Sequence, residues 1–336
     1  MKYLKLPETD LNISQIALGS AEFGVDAQYP GMKAVPTKDA FRQMDEFLDM
    51  GGNFIDTAHV YSDWIPGEFG RSEKCIGKWL TERKSRDKVY IATKGGIDFT
   101  NHEGLYGPPI DLSKKEIDND IEESLFNLKT DYIDFYWLHR DEPERSVEEI
   151  ISTLNDNVKA GKIRYFGCSN WKPARIAEAN ELARKNGLMP FLGNQFEWSL
   201  ARMFCPEAPL DDLPYMDEET YAFHKKTGMT AFAYSSQANG FYTKLAKDGE
   251  EALSDRLKKH YLNDRNRAAF LRIKKLSEET GMTATQIALA FINSQYDFTG
   301  VPIIFSRTHE QFLDSMSAAD CRLTPDMVDF LLDETK

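Results

Sequence analysis

Val89-Tyr90-Ile91-Ala92-Thr93 is a run of mostly β-forming and apolar residues, and Lys94 follows it at once. A strand with one wet face alternates polar and apolar side chains. A run without that alternation marks a strand buried on both faces, as in parallel sheets covered by helices. Working outward, the neighbours alternate between the two periods. Upstream lie a helix over Arg71–Arg83, a strand at Asn53–Ile55 and a helix near Lys38–Met50, whose Ala40, Phe41, Met44, Phe47 and Leu48 fall at helical spacing. Before these come a strand at Gln15–Leu18 and an opening pair, Tyr3–Leu6 and Leu11–Ile13, joined as a hairpin by Pro7-Glu8-Thr9-Asp10. Downstream, Ser113 with Glu116 forms a capping box for a helix running to about Asn127; Tyr132–Leu138 is the next strand, and Ser146 with Glu149 caps the next helix. The series continues through strand Tyr165–Gly167, helix Pro173–Lys185, strand Leu192–Asn194, helix Asp217–Lys226 and strand Thr230–Ala233. Helices Leu271–Glu279 and Ala284–Ser294, an eighth strand Gly300–Ile304 and a helix Glu310–Ala318 complete it.

Repeated right-handed β/α crossovers either close on themselves or end as an open doubly wound sheet. No G-x-G-x-x-G follows the first strand and no Walker-type glycine loop occurs, which favours closure into one α/β barrel spanning 1–336 as a single domain. A barrel of this kind takes about 250 residues, and the remainder is accounted for by loops. Three segments without clear periodicity, Ala21–Thr37, Trp198–Tyr215 and Ser235–Leu262, each follow a strand at its carboxyl end, where barrel enzymes build their active sites.

With 41% hydrophobic and 12% aromatic residues the chain can bury a large core, which excludes a disordered protein. Lys plus Arg number 41 against 54 Asp plus Glu, a net charge of −13, so neither nucleic acid nor an anionic membrane is an expected partner. An anionic ligand must be held by a local cluster of donors. No run approaches the roughly 18 apolar residues that span a bilayer. The opening MKYLKLPETD has no apolar core of a secretory signal. Cys75, Cys168, Cys205 and Cys321 are scattered, without C-x-x-C spacing, which suits a reducing cytoplasm. His59, His102, His224, His260 and His309 form no metal-ligand spacing, so no metal is expected.

Polar residues at carboxyl ends of strands carry the chemistry. Asp56 follows Asn53-Phe54-Ile55, Tyr61 comes five residues later, Lys94 ends the Val89 run, and His139 ends Phe135-Tyr136-Trp137-Leu138. Singly, each has an ordinary structural explanation: a helix cap, a solvated cation, a hydrogen-bonded histidine. At successive strand ends they face one another across a barrel mouth. A tyrosine hydroxyl near 10 is a poor acid at neutral pH, and a nearby ammonium lowers that value. Asp56 pairing with Lys94 would hold the ammonium charged, and His139 could orient a carbonyl oxygen or help pass a proton. The set suits carbonyl reduction, with Tyr61 protonating oxygen while a cofactor supplies hydride.

At these motifs the sequence resembles the aldo-keto reductases over nearly its whole length. Asn53-Phe54-Ile55-Asp56-Thr57-Ala58-His59-Val60-Tyr61 is similar to that family's first signature, and Gly161-Lys162-Ile163-Arg164-Tyr165-Phe166-Gly167-Cys168-Ser169-Asn170 to its nicotinamide carboxamide segment. The resemblance implies a (β/α)8 TIM barrel whose bottom is closed by the hairpin, an NADP(H) cofactor and a small carbonyl or alcohol substrate. It implies Asp56, Tyr61, Lys94 and His139 as catalytic tetrad, with Ser169, Asn170 and Gln195 on the carboxamide. Tyr234 would stack on the nicotinamide, with Ser235 beside it in the cofactor set. At the adenosine end Ile304–Ser315 aligns with the family's clamp. There Arg307 would grip a 2′-phosphate, flanked by Ser306 and Gln311, and Ser315 would face adenine. Phe305 stands where the family usually has glycine, and Ser315 where it often has asparagine, so the backbone approach to pyrophosphate and the adenine contacts differ here. Trp64, Trp171 and Trp198 follow the tetrad and cofactor motifs and are the expected substrate-pocket residues.

Two other classes compete. A regulatory relative of the same fold would bind cofactor and turn over slowly. The intact tetrad and the lack of an arm before Met1-Lys2-Tyr3 count against it. A barrel glycosidase would need a second carboxylate opposite Asp56. Glu197 is the available candidate, and that chemistry leaves Tyr61 and Lys94 without a purpose.

Overall fold

Strands that run parallel must be joined by crossovers of a dozen or more residues, and the helices of this chain supply them. The computed structural model describes residues 1–27, 34–65, 67–97, 109–203 and 213–332. Cys205 and His102 lie outside the described residues. The barrel strands are β3 (Ala17–Gly19), β4 (Phe54–Asp56), β5 (Tyr90–Gly95), β6 (Ile133–Leu138), β7 (Ile163–Ser169), β8 (Gly193–Glu197), β9 (Thr230–Tyr234) and β10 (Gly300–Ile304). They form a closed barrel in the order β10-β3-β4-β5-β6-β7-β8-β9, the expected (β/α)8 class. The helices are α1 (Thr37–Asp49), α2 (Arg71–Arg83), α3 (Lys114–Leu128), α4 (Val147–Lys159), α5 (Pro173–Lys185) and α6 (Glu218–Thr227), followed by α7 (Phe241–Asp248), α8 (Asp255–Tyr261), α9 (Asp264–Thr280), α10 (Ala284–Asn293), α11 (His309–Met316) and α12 (Pro325–Leu332).

The chain divides into two compact units, Tyr3–Gln195 and Met1–Lys2 with Phe196–Lys336. In the first, β1 (Tyr3–Lys5) and β2 (Asn12–Ser14) pair antiparallel with Leu4 opposite Ile13. This hairpin sits at the amino ends of the strands. Ser14 N donates to Asn53 Oδ1 at 2.6 Å, just ahead of β4, and Arg164 of β7 grips Asp10 at 2.7 and 2.8 Å. Every residue of β6 is buried, as the unbroken apolar reading requires. In the second unit the core gathers around Phe196, Trp198, Phe241, Tyr261, Phe291 and Phe298.

Several local readings change. β8 begins at Gly193 and reaches Glu197, so Gln195 belongs to the strand. α9 starts at Asp264, capped by Asn263, well before Leu271. The segment Ser235–Leu262 holds α7 and α8, whose few buried residues (Phe241, Tyr242 and Leu245; Leu257 and Tyr261) are too short a stripe to show helical periodicity. Ser113 Oγ does cap α3 at Glu116 N. Ser146 caps α4 through Glu148 N rather than Glu149 N, and the Glu149 carboxylate accepts from Arg145 Nη1 at 3.1 Å.

Gly167 in β7 owes its place to packing. A Cβ there would collide with the Gly193 carbonyl oxygen and stand 2.6 Å from Trp137 Cζ3 and 2.9 Å from Phe135 Cε1. Backbone cannot yield as a flexible side chain does. Gly167→Ala should therefore destabilise the protein by about 2 kcal/mol or more, seen as a lowered thermal or urea midpoint. An unchanged midpoint would show that the barrel interior has slack at this layer.

Candidate active site

β4 ends at Asp56, and the chain beyond it keeps running beside β5. Thr57 N donates to Ala92 O at 2.8 Å and His59 N to Lys94 O at 2.9 Å. Tyr61 N then donates to Ala58 O at 3.1 Å, and Ser62 takes a left-handed φ of +73°, folding the segment back over the strand ends. The turn delivers the Tyr61 hydroxyl to Lys94. Lys94 lies in β5, in register with Trp137 of β6, and is 1% exposed.

An ammonium has three donors and no acceptor, so burial demands three partners. Lys94 Nζ finds them in Asp56 Oδ2 at 2.5 Å, Thr57 O at 2.8 Å and Tyr61 Oη at 3.1 Å. The other Asp56 oxygen, Oδ1, accepts from Gln195 Nε2 at 2.9 Å. His139 follows β6, where its N–H donates to Gly95 O at 2.9 Å. Its ring lies 5.8 Å from that of Tyr61, edge-on, with Nδ1 buried and without a hydrogen-bond partner among the described residues.

The electrostatics follow from this geometry. Burial opposes the Lys94 charge, but Asp56 and Tyr61 outweigh it and hold the ammonium above its ordinary value. Burial, helped by Asp56, keeps the Tyr61 hydroxyl above its usual value despite Lys94. The expectation that Lys94 brings the tyrosine below its ordinary range is thus corrected: the ammonium pulls in that direction but desolvation is stronger. Burial, then the charges of Lys94 and Arg140, push His139 well below the ordinary imidazole value, leaving it neutral.

Ser169 ends β7 opposite Gln195 of β8. Asn170 comes next with a left-handed φ of +61°, which asparagine tolerates better than most residues. Its N–H donates to Gln195 O at 2.9 Å, and its side-chain amide donates to His139 O at 3.1 Å and Ser169 Oγ at 3.0 Å. The Gln195 side-chain amide, expected to meet a cofactor, also donates to Asp56. Of the aromatic residues, Trp64 is half-buried, its ring 6.3 Å from that of Tyr61. Trp171 is fully buried against Phe191, with the Arg175 guanidinium 5.6 Å over its ring.

In the second unit, Tyr234 ends β9 and Ser235 opens a turn with φ of +51°; Ala238, Asn239 and Gly240 are left-handed too. Four such residues in six concentrate backbone strain at one strand end, a pattern associated with binding sites. Ser306 is buried and Arg307 exposed, its guanidinium 5.5 Å over the Phe305 ring. Gln311 Oε1 accepts from Arg307 N at 3.1 Å. Ser315, the expected adenine residue, lies near the end of α11. It is buried, donates to Gln311 O at 2.9 Å and accepts from Gln237 Nε2 at 2.9 Å. Trp198 is 4% exposed and borders a cavity of about 550 Å³ with Leu200, Met203, Tyr215 and Phe291. Glu197 accepts from Tyr261 Oη at 3.4 Å, and burial pushes its carboxyl up. Both Asp56 oxygens are engaged, by Lys94 and by Gln195.

Sequence reading missed the roles of Gln195, the Thr57 carbonyl and Trp137, which acts on Asp56 in the same sense as Gln195. These contacts depend on strand stagger around a barrel, which leaves no local signal. Among the described residues no group of His, Cys, Asp and Glu could hold a metal ion, and no helix is long and apolar enough to cross a membrane.

Known proteins are similar to this chain over nearly its whole length. The chain is 28% identical over 335 residues to an aryl-alcohol dehydrogenase [NADP(+)] of Phanerodontia chrysosporium, covering 97% of this chain and 84% of the relative. It is 30% identical over 334 residues to an uncharacterized oxidoreductase of Bacillus subtilis, covering 99% and 95%, and 30% identical over 335 residues to a norsolorinic acid reductase of Emericella nidulans, covering 96% and 78%. The model of the aldo/keto reductase family matches residues 15–332. A match that starts just ahead of the first barrel strand and ends with α12 takes in every element that carries these side chains, and the chain therefore belongs to the aldo/keto reductase family.

Proposed function

We propose that this oxidoreductase reduces an aldehyde, ketone or sugar carbonyl to the alcohol, reversibly, with NADPH as cofactor and Tyr61 as proton donor. One observation carries the reading: a fully buried lysine ammonium that bridges a pinned carboxylate and a tyrosine hydroxyl at 3.1 Å. NADPH, when bound, supplies the hydride. Tyr61, kept protonated by burial, gives its proton to the carbonyl oxygen as negative charge develops there. Lys94 offsets the phenolate charge left behind, and Asp56, fixed by Gln195, holds the ammonium in place. Neutral His139 can donate an N–H to the same oxygen without competing as an acid.

The residues present fit the cofactor. Ser169 and Asn170 offer a hydroxyl and an amide at the end of β7, and the left-handed turn after Tyr234 brings Ser235 to the surface. Arg307 presents a planar fork of donors whose backbone is fixed by Gln311, and Phe305, the departure from the family pattern, lies under it as a platform. On a chain of net charge −13, a 2′-phosphate needs such a specific cation. The printed name of the Phanerodontia relative includes NADP(+), which supports the same cofactor here.

NADPH oxidation measured against a panel of carbonyl compounds tests the reading directly. Tyr61→Phe keeps the ring and loses the hydroxyl, so kcat should fall by ~10²-fold or more with NADPH binding nearly unchanged. Near-normal turnover would remove Tyr61 as proton donor.

Lys94→Met leaves the Asp56 carboxyl buried and without its cation. Activity and about 3–5 kcal/mol of stability should be lost together. Adding Asp56→Asn should restore much of the stability, read from the thermal midpoint, and none of the activity. Recovery of both would make the pair structural.

Arg307→Ala should raise KM for NADPH by about ten- to a hundredfold, the worth of a well-formed charge-assisted bond, and leave KM for NADH and kcat nearly alone. Equal weakening toward both cofactors would mean that Arg307 does not read the 2′-phosphate.

A further inference from the structure

Next to the tetrad lies a second polar cluster that the chemistry above does not use. His59 stands between Asp56 and Tyr61 in sequence, yet its ring turns away toward α3. Nε2 is 2.9 Å from Glu123 Oε2, and Nδ1 is 3.4 Å from Asp120 Oδ1. The other Asp120 oxygen accepts from Gly96 N at 2.6 Å. Three consecutive residues at the end of β5 are thereby tied down through their backbone: Lys94 O by His59 N, Gly95 O by His139 N, both at 2.9 Å, and Gly96 N by Asp120. Gly95 has no slack. A Cβ there would strike the Tyr136 hydroxyl and stand 2.6 Å from Asp120 Oδ2.

We propose that the His59–Asp120 pair is the positioning device of this site, clamping the Lys94-Gly95-Gly96 backbone from outside the barrel so that the Lys94 ammonium and the His139 ring stay aligned on Tyr61. Neither residue touches the reacting atoms; both act through the backbone. The inference rests on the reductase reading for its kinetic test. Displacing a catalytic group by about 1 Å can cost ~10²-fold in rate, so a clamp at this point has leverage.

The clamp is charged, which gives it a signature. Around His59 the titratable or charged groups among the described residues are Glu73 on α2, Asp120 and Glu123 on α3, Asp63 after β4, and Lys94 and Tyr136 on the adjoining strands. Burial opposes the His59 charge, but Glu73, Asp120 and Glu123 outweigh it and raise its value above the ordinary one. Burial pushes Asp120 up to about 6, with His59 and the Gly96 N–H acting against the rise. At neutral pH the Asp120 carboxylate is charged, and the acidic groups around His59 favour its ion pair with Asp120. The pair is lost as pH falls through about 6, when Asp120 takes up a proton.

The test combines kinetics with amide hydrogen exchange, which needs no turnover. In wild type, kcat should fall on the acid side near pH 6. Asp120→Asn should lower kcat about tenfold, abolish that acid limb and leave NADPH affinity, read by fluorescence titration, within about twofold. The His59 and His139 amides, which donate to Lys94 O and Gly95 O, should exchange about tenfold faster in Asp120→Asn, with distant strands unchanged. His59→Gln removes the cation facing Asp120, so its acid limb should move to higher pH. Glu123 is two-thirds exposed, and Glu123→Gln should fold even where the buried variants do not; it weakens the hold on the His59 proton and should draw the alkaline limb downward. Wild-type protection of both amides together with an unmoved pH profile in these variants would overturn the proposal. Failure of the reductase reading looks different: wild type would oxidise no NADPH with any carbonyl, or Tyr61→Phe would keep its turnover, while the exchange measurement would still decide the clamp.

Discussion

A lysine ammonium buried at the mouth of a barrel cannot exist without partners, because moving a charge out of water costs several kcal/mol even after the protein relaxes. Much of the site's arrangement follows from satisfying Lys94. Its three donors take one carboxylate oxygen, one backbone carbonyl and one phenol oxygen, from three different positions of the β4 segment. That requirement determines how the chain beyond Asp56 must turn. It also explains why the remaining oxygen of Asp56 is held by Gln195, since a carboxylate free to rotate would release the ammonium. The proposed proton donor is thus held in place by a charge that must be neutralised whether or not substrate is present.

Turns at strand ends carry the rest. Ser62 and Asn170 in the first unit, and Ser235, Ala238 and Asn239 in the second, adopt left-handed φ values that side chains with a Cβ rarely take. Each follows closely on a barrel strand. These turns orient the residues on which the proposed chemistry depends. Neutral His139 fits the same logic. Its low proton affinity comes from burial and from Lys94 and Arg140, so the ammonium that supports Tyr61 also keeps the imidazole uncharged.

Comparison of motif with structure is instructive at Gln195 and Ser315. A family pattern aligns a residue type with a role, and the fold gives these side chains partners that the pattern does not name. The Gln195 amide donates to Asp56, and the Ser315 hydroxyl is occupied by Gln237 and Gln311. Phe305 shows the converse. A bulky ring where glycine is usual lies against the Arg307 guanidinium, contributing apolar support to a side chain that must reach outward for its ligand.

The sequence by itself pointed to the barrel, because short runs such as Val89–Thr93, buried on both faces of parallel strands, alternate with helical stripes such as that of α1. It also marked Asp56, Tyr61, Lys94 and His139, since polar residues at or just beyond successive strand ends face one another across a barrel mouth. Short helices such as α7 and α8 escaped it, because two or three buried residues do not make a period. Tertiary structure alone decided which oxygen meets which donor. The Lys94 contact to Thr57 O uses a group that every residue possesses, so no residue type announces it. The net rise of the Tyr61 value is a contest between desolvation and a nearby charge, and depth of burial settles it. His59 was legible only as a histidine without metal spacing. Its link to Asp120 spans β4 and α3, and packing across the intervening strand brings the two together.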